Sequence, residues 1–234
     1  MTIKDFFFHK NGKGTGTRKQ KKSIKPTVEE FEKLGPNPSP QAVKKLFSRS
    51  YRIMNDVELQ NADYPAMMFA EFDDGASTPD QLPGAEGEYG RCADNPIPVN
   101  GPTGQVTYLS RLLTVDTDSR MAFHRLGSTS SHVLDAMVDI FELVSVDGTH
   151  YDRLYLDMYH LGQSQKAPEG YRLLNQLTGI TGTSIGVSRD FPLNIGQDAF
   201  EYACSIFGAP VVSSVLRDMD MAKARKLVET MGNS

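Results

Sequence analysis

The sequence predicts an α+β fold: an antiparallel β-sheet with flanking helices on its N-terminal side and at the C-terminus. Three observations carry that expectation: an amphipathic helical repeat over residues 39–54, a strand-turn-strand pattern centred on Asp147-Gly148, and helical spacing that resumes at residue 198. With 234 residues, 39% of them hydrophobic and 23% charged, the chain has the size of one domain with appendages and enough apolar content for a core.

In chain order, Thr27 and Glu30 have capping-box spacing and open a short helix through Leu34, which Gly35 and Pro36 stop. Ser39 then caps a helix that begins at Pro40, and Val43, Leu46, Phe47, Tyr51 and Met54 recur along one face of it. Residues 27–70 thus read as a helical segment. Residues 71–104 hold eleven Gly and Pro, and seven acids against the single Arg91, so they read as an acidic loop. It is either a solvated linker or a dock for the basic N-terminal arm.

An α+β domain is expected over 105–234. Residues 105–115 and 121–126 are rich in β-branched and aromatic residues and read as strands parted by the turn from Asp116 to Arg120. Val138–Val146 and Tyr151–Tyr159 form the expected hairpin, with Val146 opposite Tyr151, Leu143 opposite Leu154 and Phe141 opposite Leu156. That register leaves Glu142, Arg153, Tyr155 and Asp157 on a wet face. Over 198–207, Ala199, Phe200, Ala203, Cys204 and Phe207 share a helix face that Gly208 ends, and a last helix runs from Pro210 to about Met231, broken near Asp218.

Charge is segregated. Residues 6–28 contain seven basic residues and no acid, so a total of −4 divides into +7 there and −11 elsewhere. Gly12, Gly14 and Gly16 lie in this stretch with almost no apolar residue to offset ordering entropy, and residues 1–26 read as a flexible basic arm with an aromatic tip. No run approaches the ~18 apolar residues of a membrane span, and Met1–Lys10 is too charged for a secretory signal, which points to the cytoplasm. Cys92 and Cys204 belong to no Cys-x-x-Cys spacing and are expected as reduced thiols.

Catalytic signals are sparse. His124, Glu142, Asp157 and His160 are the residue types of a metal site or an acid–base pair, although Asp157 and His160, three apart, share a side only if the strand ends near Met158. Zinc spacing is missing, and no metal or cofactor is expected. Glu142, Arg153 and Asp157 also fit a solvated charge ladder. Ser128, Ser130 and Ser131 lack a Gly-x-Ser-x-Gly context, and Gly12–Thr17 lacks the strand and helix that a phosphate loop requires.

Two resemblances add to this. Asn95–Pro102, Tyr108–Ser110, His124–Ser128 and Ala167–Tyr171 resemble a run found in uncharacterised bacterial proteins, which implies a bacterial origin and brings no catalytic residue, cofactor or substrate. Ile3, Phe6 and Phe7, followed by basic residues, resemble the peptide with which replication and repair proteins dock on sliding clamps. The resemblance implies that Ile3 is an aliphatic plug and Phe6 and Phe7 an aromatic pair, while the glutamine of that peptide has no counterpart here.

The leading expectation is a non-catalytic binding module. Its partner-binding residues are Ile3, Phe6, Phe7, Phe8, Arg18, Lys19, Lys21 and Lys22, and its partner is an acidic protein or, non-specifically, nucleic acid. Packing of Phe6–Phe8 on the chain's own domain competes with it. The alternatives are a metal-assisted hydrolase or nuclease using His124, Glu142, Asp157 and His160, and an immunity or antitoxin-like inhibitor whose acidic body blocks a basic surface.

Overall fold

The computed structural model describes residues 24–62, 64, 80–183 and 187–232. The expected α+β architecture is present. Helices α1 (Val28–Glu32), α2 (Pro40–Met54) and α3 (Val57–Asn61) precede β1 (Ile97–Pro98), α4 (Gly101–Arg111), β2 (Leu112–Thr114), β3 (Met121–Ser130), β4 (Met137–Ser145), β5 (Tyr151–Asp157) and β6 (Tyr171–Leu173). Helix α5 (Ile195–Phe207), a 3₁₀ turn (Ser214–Asp218) and α6 (Met221–Met231) follow. Among the described residues no helix is long and apolar enough to cross a membrane.

The front helices form as their caps dictate. Thr27 Oγ1 accepts the Glu30 N–H and Glu30 Oε2 accepts the Thr27 N–H, while Ser39 Oγ accepts the Ala42 N–H. The buried stripe of α2 is rotated from the expected one: Leu46, Ser50, Ile53 and Met54 are buried and Tyr51 is exposed. Ser50 lies in that stripe because its hydroxyl donates to the Phe207 carbonyl at 2.8 Å, where the end of α5 meets α2.

The main sheet runs β1-β5-β4-β3, antiparallel except for β1, which lies parallel to β5. A separate pair joins β2 and β6. The expected strand at 105–115 is mostly helix: only Leu112–Thr114 is extended, and α4 occupies 101–111. Helix α4 is buried nearly all round, so its sequence lacks the polar face from which a helix is recognised. Its polar residues are satisfied inside, Thr107 by the Thr103 carbonyl and Ser110 by the Thr181 N–H.

The hairpin closes one residue earlier than expected on each strand, between Ser145 and His150. Ser145 Oγ accepts the Thr149 and His150 N–H groups, which fixes the turn, and Val146 instead donates its N–H to the Arg120 carbonyl. Phe141 therefore faces Leu154, and Glu142 faces Arg153. The displacement moves both strands, so each residue keeps its face.

That turn has a measurable pH signature. Burial opposes ionisation of Asp147, but hydrogen bonds from Ser145, Thr149 and Thr117 hold its carboxyl down at about 2. A folded value below the unfolded one stabilises the fold above the ordinary carboxylate range, and this is lost as pH falls towards about 2. Asp147→Asn is expected to cost about 1 kcal/mol at neutral pH, discounted for partial exposure, and much less at about pH 2. Urea titrations at both pH values check this.

Both sheet faces are covered. Phe123, Phe141, Leu143, Leu154 and Leu156 join residues of α2, α4 and α5 in the main core. On the other face Ala122 and Val144 meet Phe191, Ile195 and Ala224, so the face expected to be wet is roofed by the strap before α5, the start of α5 and the stretch from Leu216 through α6. The later part of the acidic loop is also built in, with Tyr89, Ile97 and Val99 buried in the main core.

Candidate functional site

The four candidate catalytic residues form two pairs. His124 on β3 stands directly opposite Glu142 on β4, with Nε2 2.8 Å from Glu142 Oε2, and both residues are about 95% buried or more. The Ser188 N–H donates to His124 Nδ1 at 3.3 Å. An acceptor role at Nδ1 puts the ring proton on Nε2, where it points at the carboxylate. The imidazole also stacks on Phe191, with ring centroids 4.2 Å apart.

Glu142 Oε1 accepts the Tyr151 hydroxyl at 2.6 Å, Tyr151 accepts from Arg153 Nε at 3.0 Å, and Arg153 donates to the Gly232 carbonyl. Burial raises the Glu142 pKa, yet the hydrogen bonds from His124 and Tyr151 prevail and hold it below the usual carboxylate range. Burial and the bond to Glu142 push the Tyr151 phenol up to about 12. The expected solvated ladder of Glu142, Arg153 and Asp157 is therefore corrected: Glu142 is closed off from water by the roof, and Asp157 turns elsewhere.

Asp157 is bonded to His160, Oδ2 to Nε2, at 2.7 Å. The strand ends at Asp157, and the turn that follows brings the two to one side, which three residues of continued strand would not. The Tyr159 N–H donates to Asp157 Oδ1 at 3.2 Å. Asp157 lies four residues beyond Arg153 on the same strand, about 13 Å along it, so the two pairs are separate. No group of three or more His, Cys, Asp or Glu residues that could hold a metal occurs among the described residues.

A third cluster escaped the sequence reading. Between Arg125 and Gly127 the β3–β4 register shifts by one residue, a β-bulge at Leu126. In a regular strand Arg125 and Ser128 would point to opposite faces; the extra residue puts both beside Asp139. Arg125 Nε and Nη2 donate to Asp139 Oδ1 at 3.0 and 2.8 Å, Ser128 donates to the same oxygen at 2.8 Å, and Gln105 donates to Oδ2 at 2.7 Å. The available signal was Gly127, since a glycine within a strand pattern marks a bulge. The cluster anchors α4 to the sheet through Gln105 and leaves Ser128 exposed.

An open groove of roughly 220 Å³ lies between the turn 117–120, the hairpin turn at Val146 and Asp147, and Val215 and Asp218. None of the four candidate residues lines it.

Ile3, Phe6, Phe7, Phe8, Arg18, Lys19, Lys21 and Lys22 lie outside the described residues. The described chain starts at Ile24, which packs on the main core, and Arg49 donates from Nε to the Ile24 carbonyl at 2.9 Å and from Nη2 to the Lys25 carbonyl at 3.2 Å. Cys92 and Cys204 are both free thiols. Compared with family models, curated proteins and solved structures, the chain matches none.

Proposed function

We propose that this protein is a non-catalytic binding module: a folded acidic body that carries a basic N-terminal segment with which it engages an acidic partner. The observation behind the reading is charge segregation, +7 within residues 6–28 against −11 in the rest of the chain. Such a stretch attracts polyanions with a steep salt dependence and little sequence preference. Two structural facts support it. Arg49 clamps the Ile24 and Lys25 carbonyls, so the described residue next to the basic stretch is fixed to the body. His124, Glu142, Asp157 and His160 bond to one another in pairs, and the His124 pair lies beneath a packed roof.

The test compares the full chain with a variant lacking residues 1–23. Fluorescence anisotropy is measured against a labelled DNA duplex and a labelled polyglutamate peptide at about 50 and about 200 mM salt. The full chain is expected to bind at least one of them, at least tenfold more weakly at the higher salt. The truncated chain is expected to lose that binding and keep its thermal stability within about 1 kcal/mol. Equal binding by both chains, or binding of neither probe by the full chain, overturns the proposal. So does a large stability loss on truncation, which would make Phe6–Phe8 part of the core.

A further inference from the structure

The layer that roofs the second sheet face is tied down at both ends by one hydrogen-bonded chain, and a histidine lies in its middle. From the strap 187–194 the Ser188 N–H reaches His124 Nδ1; His124 reaches Glu142; Glu142 accepts Tyr151, Tyr151 accepts Arg153, and Arg153 donates to the Gly232 carbonyl just past α6. The chain is consistent in one protonation state only. Because Nδ1 accepts an N–H, the ring is neutral and donates from Nε2. The charges in the chain are then Glu142 and Arg153, which balance. Among the described residues, the strap brings the Ser188 amide and the Phe191 ring to this chain and the end of α6 brings the Gly232 carbonyl, while Arg189, Asp190, Arg225, Lys226 and Glu229 lie at the surface, Arg189 and Lys226 partly covered.

A second proton on His124 would reverse this. Nδ1–H would face the Ser188 N–H donor to donor, and a third charge would sit unbalanced on a ring that is nearly fully buried. Glu142 still attracts the cation, so the sheet side of the chain holds while the strap side breaks. We infer that His124 is a proton-operated clasp: neutral, it fastens the strap 187–194 and, through Glu142, Tyr151 and Arg153, the end of α6 to the sheet; protonated, it releases the strap. Release withdraws Phe191 from its stack and thins the cover over Ala122 and Val144, which Ile195 and Ala224 still meet.

Hydrogen exchange read by mass spectrometry on the full chain tests the clasp at about pH 7.5 and about pH 5.5, with rates corrected for intrinsic pH dependence. Asp147, held at about 2, and Asp220, held low by Lys223, remain charged throughout and do not confuse the result. At the lower pH, protection of peptides spanning 187–194 is expected to fall at least tenfold while β4 peptides keep theirs. His124→Gln, which donates to Glu142 but gains no proton, is expected to abolish the difference. Unchanged protection in the wild type, or the same pH response in His124→Gln, overturns the inference. Should the variant not fold, the ¹⁵N shifts of the wild-type imidazole decide: a proton on Nδ1 at neutral pH is incompatible with the clasp, and a proton on Nε2 supports it.

Discussion

Gly182→Ala is expected to destabilise the protein by about 3 kcal/mol or more, among the largest effects of any one-methyl change in it. A methyl at residue 182 would sit 2.0 Å from Phe123 Cε2 and 2.1 Å from Cζ, far closer than van der Waals contact allows. Phe123 has no room to yield, because it is fully buried and packs edge-on against Phe141 at 6.1 Å. Residue 183 is also held, its N–H and hydroxyl both donating to the Phe123 carbonyl at 2.9 Å. The origin of the effect can be read by a double-mutant cycle. Phe123→Leu alone should destabilise, but in the Gly182→Ala background it should recover part of the loss. Additive losses in denaturant titrations would show that ring contact is not the cause.

Gly208→Ala is expected to cost about 3 kcal/mol by a different route, from left-handed backbone strain and a collision together. Residue 208 has φ of +75° as it ends α5, and its added methyl would lie 1.9 Å from the Pro26 carbonyl oxygen. Backbone oxygen cannot rotate away as a side-chain tip does, so the entry segment 24–27 must lift, loosening Ile24 and the Arg49 clamp. The midpoint of thermal unfolding should fall by roughly 10 °C. A fall of only a few degrees would mean that the entry segment adapts at little cost.

These two sites also show where a sequence is readable. Helix α2 was legible because one face of it lies in the core, so a period of 3.6 appears in the residue order, and the hairpin because Asp147-Gly148 marks its turn. Helix α4 was not, because Val106, Tyr108 and Leu109 are buried alongside Thr107 and Ser110, which erases the period and leaves a β-like composition. The register error at the hairpin came from treating Val146 as a strand residue, when the polar side chain of Ser145 closes the turn before it.

The site was legible only in its residue types. That His124 meets Glu142 depends on the β3–β4 register, and residues 131–136 between those strands contain no tight turn from which to count. The meeting of Asp157 and His160 was conditional on where β5 ends, and it ends early enough. Asp139 went unnoticed because Ser128 joins Arg125 on its face only through the bulge. The aromatic and basic residues that support the binding proposal belong to a segment whose character is compositional, and that is the level at which it was read.

The bulge at Leu126 has a further consequence, for self-association. Strand β3 borders the main sheet, and an uncovered border invites a neighbouring molecule to add a strand. Here Thr181 and Thr183 cap the Met121 and Phe123 carbonyls on the early half of the border. Past Leu126 the strand kinks and carries Gly127-Ser128-Thr129-Ser130, small and hydrophilic, which offers a poor template for cross-molecular pairing. The irregularity that brings Ser128 beside Arg125 at Asp139 thus also makes this border a poor edge for a further strand.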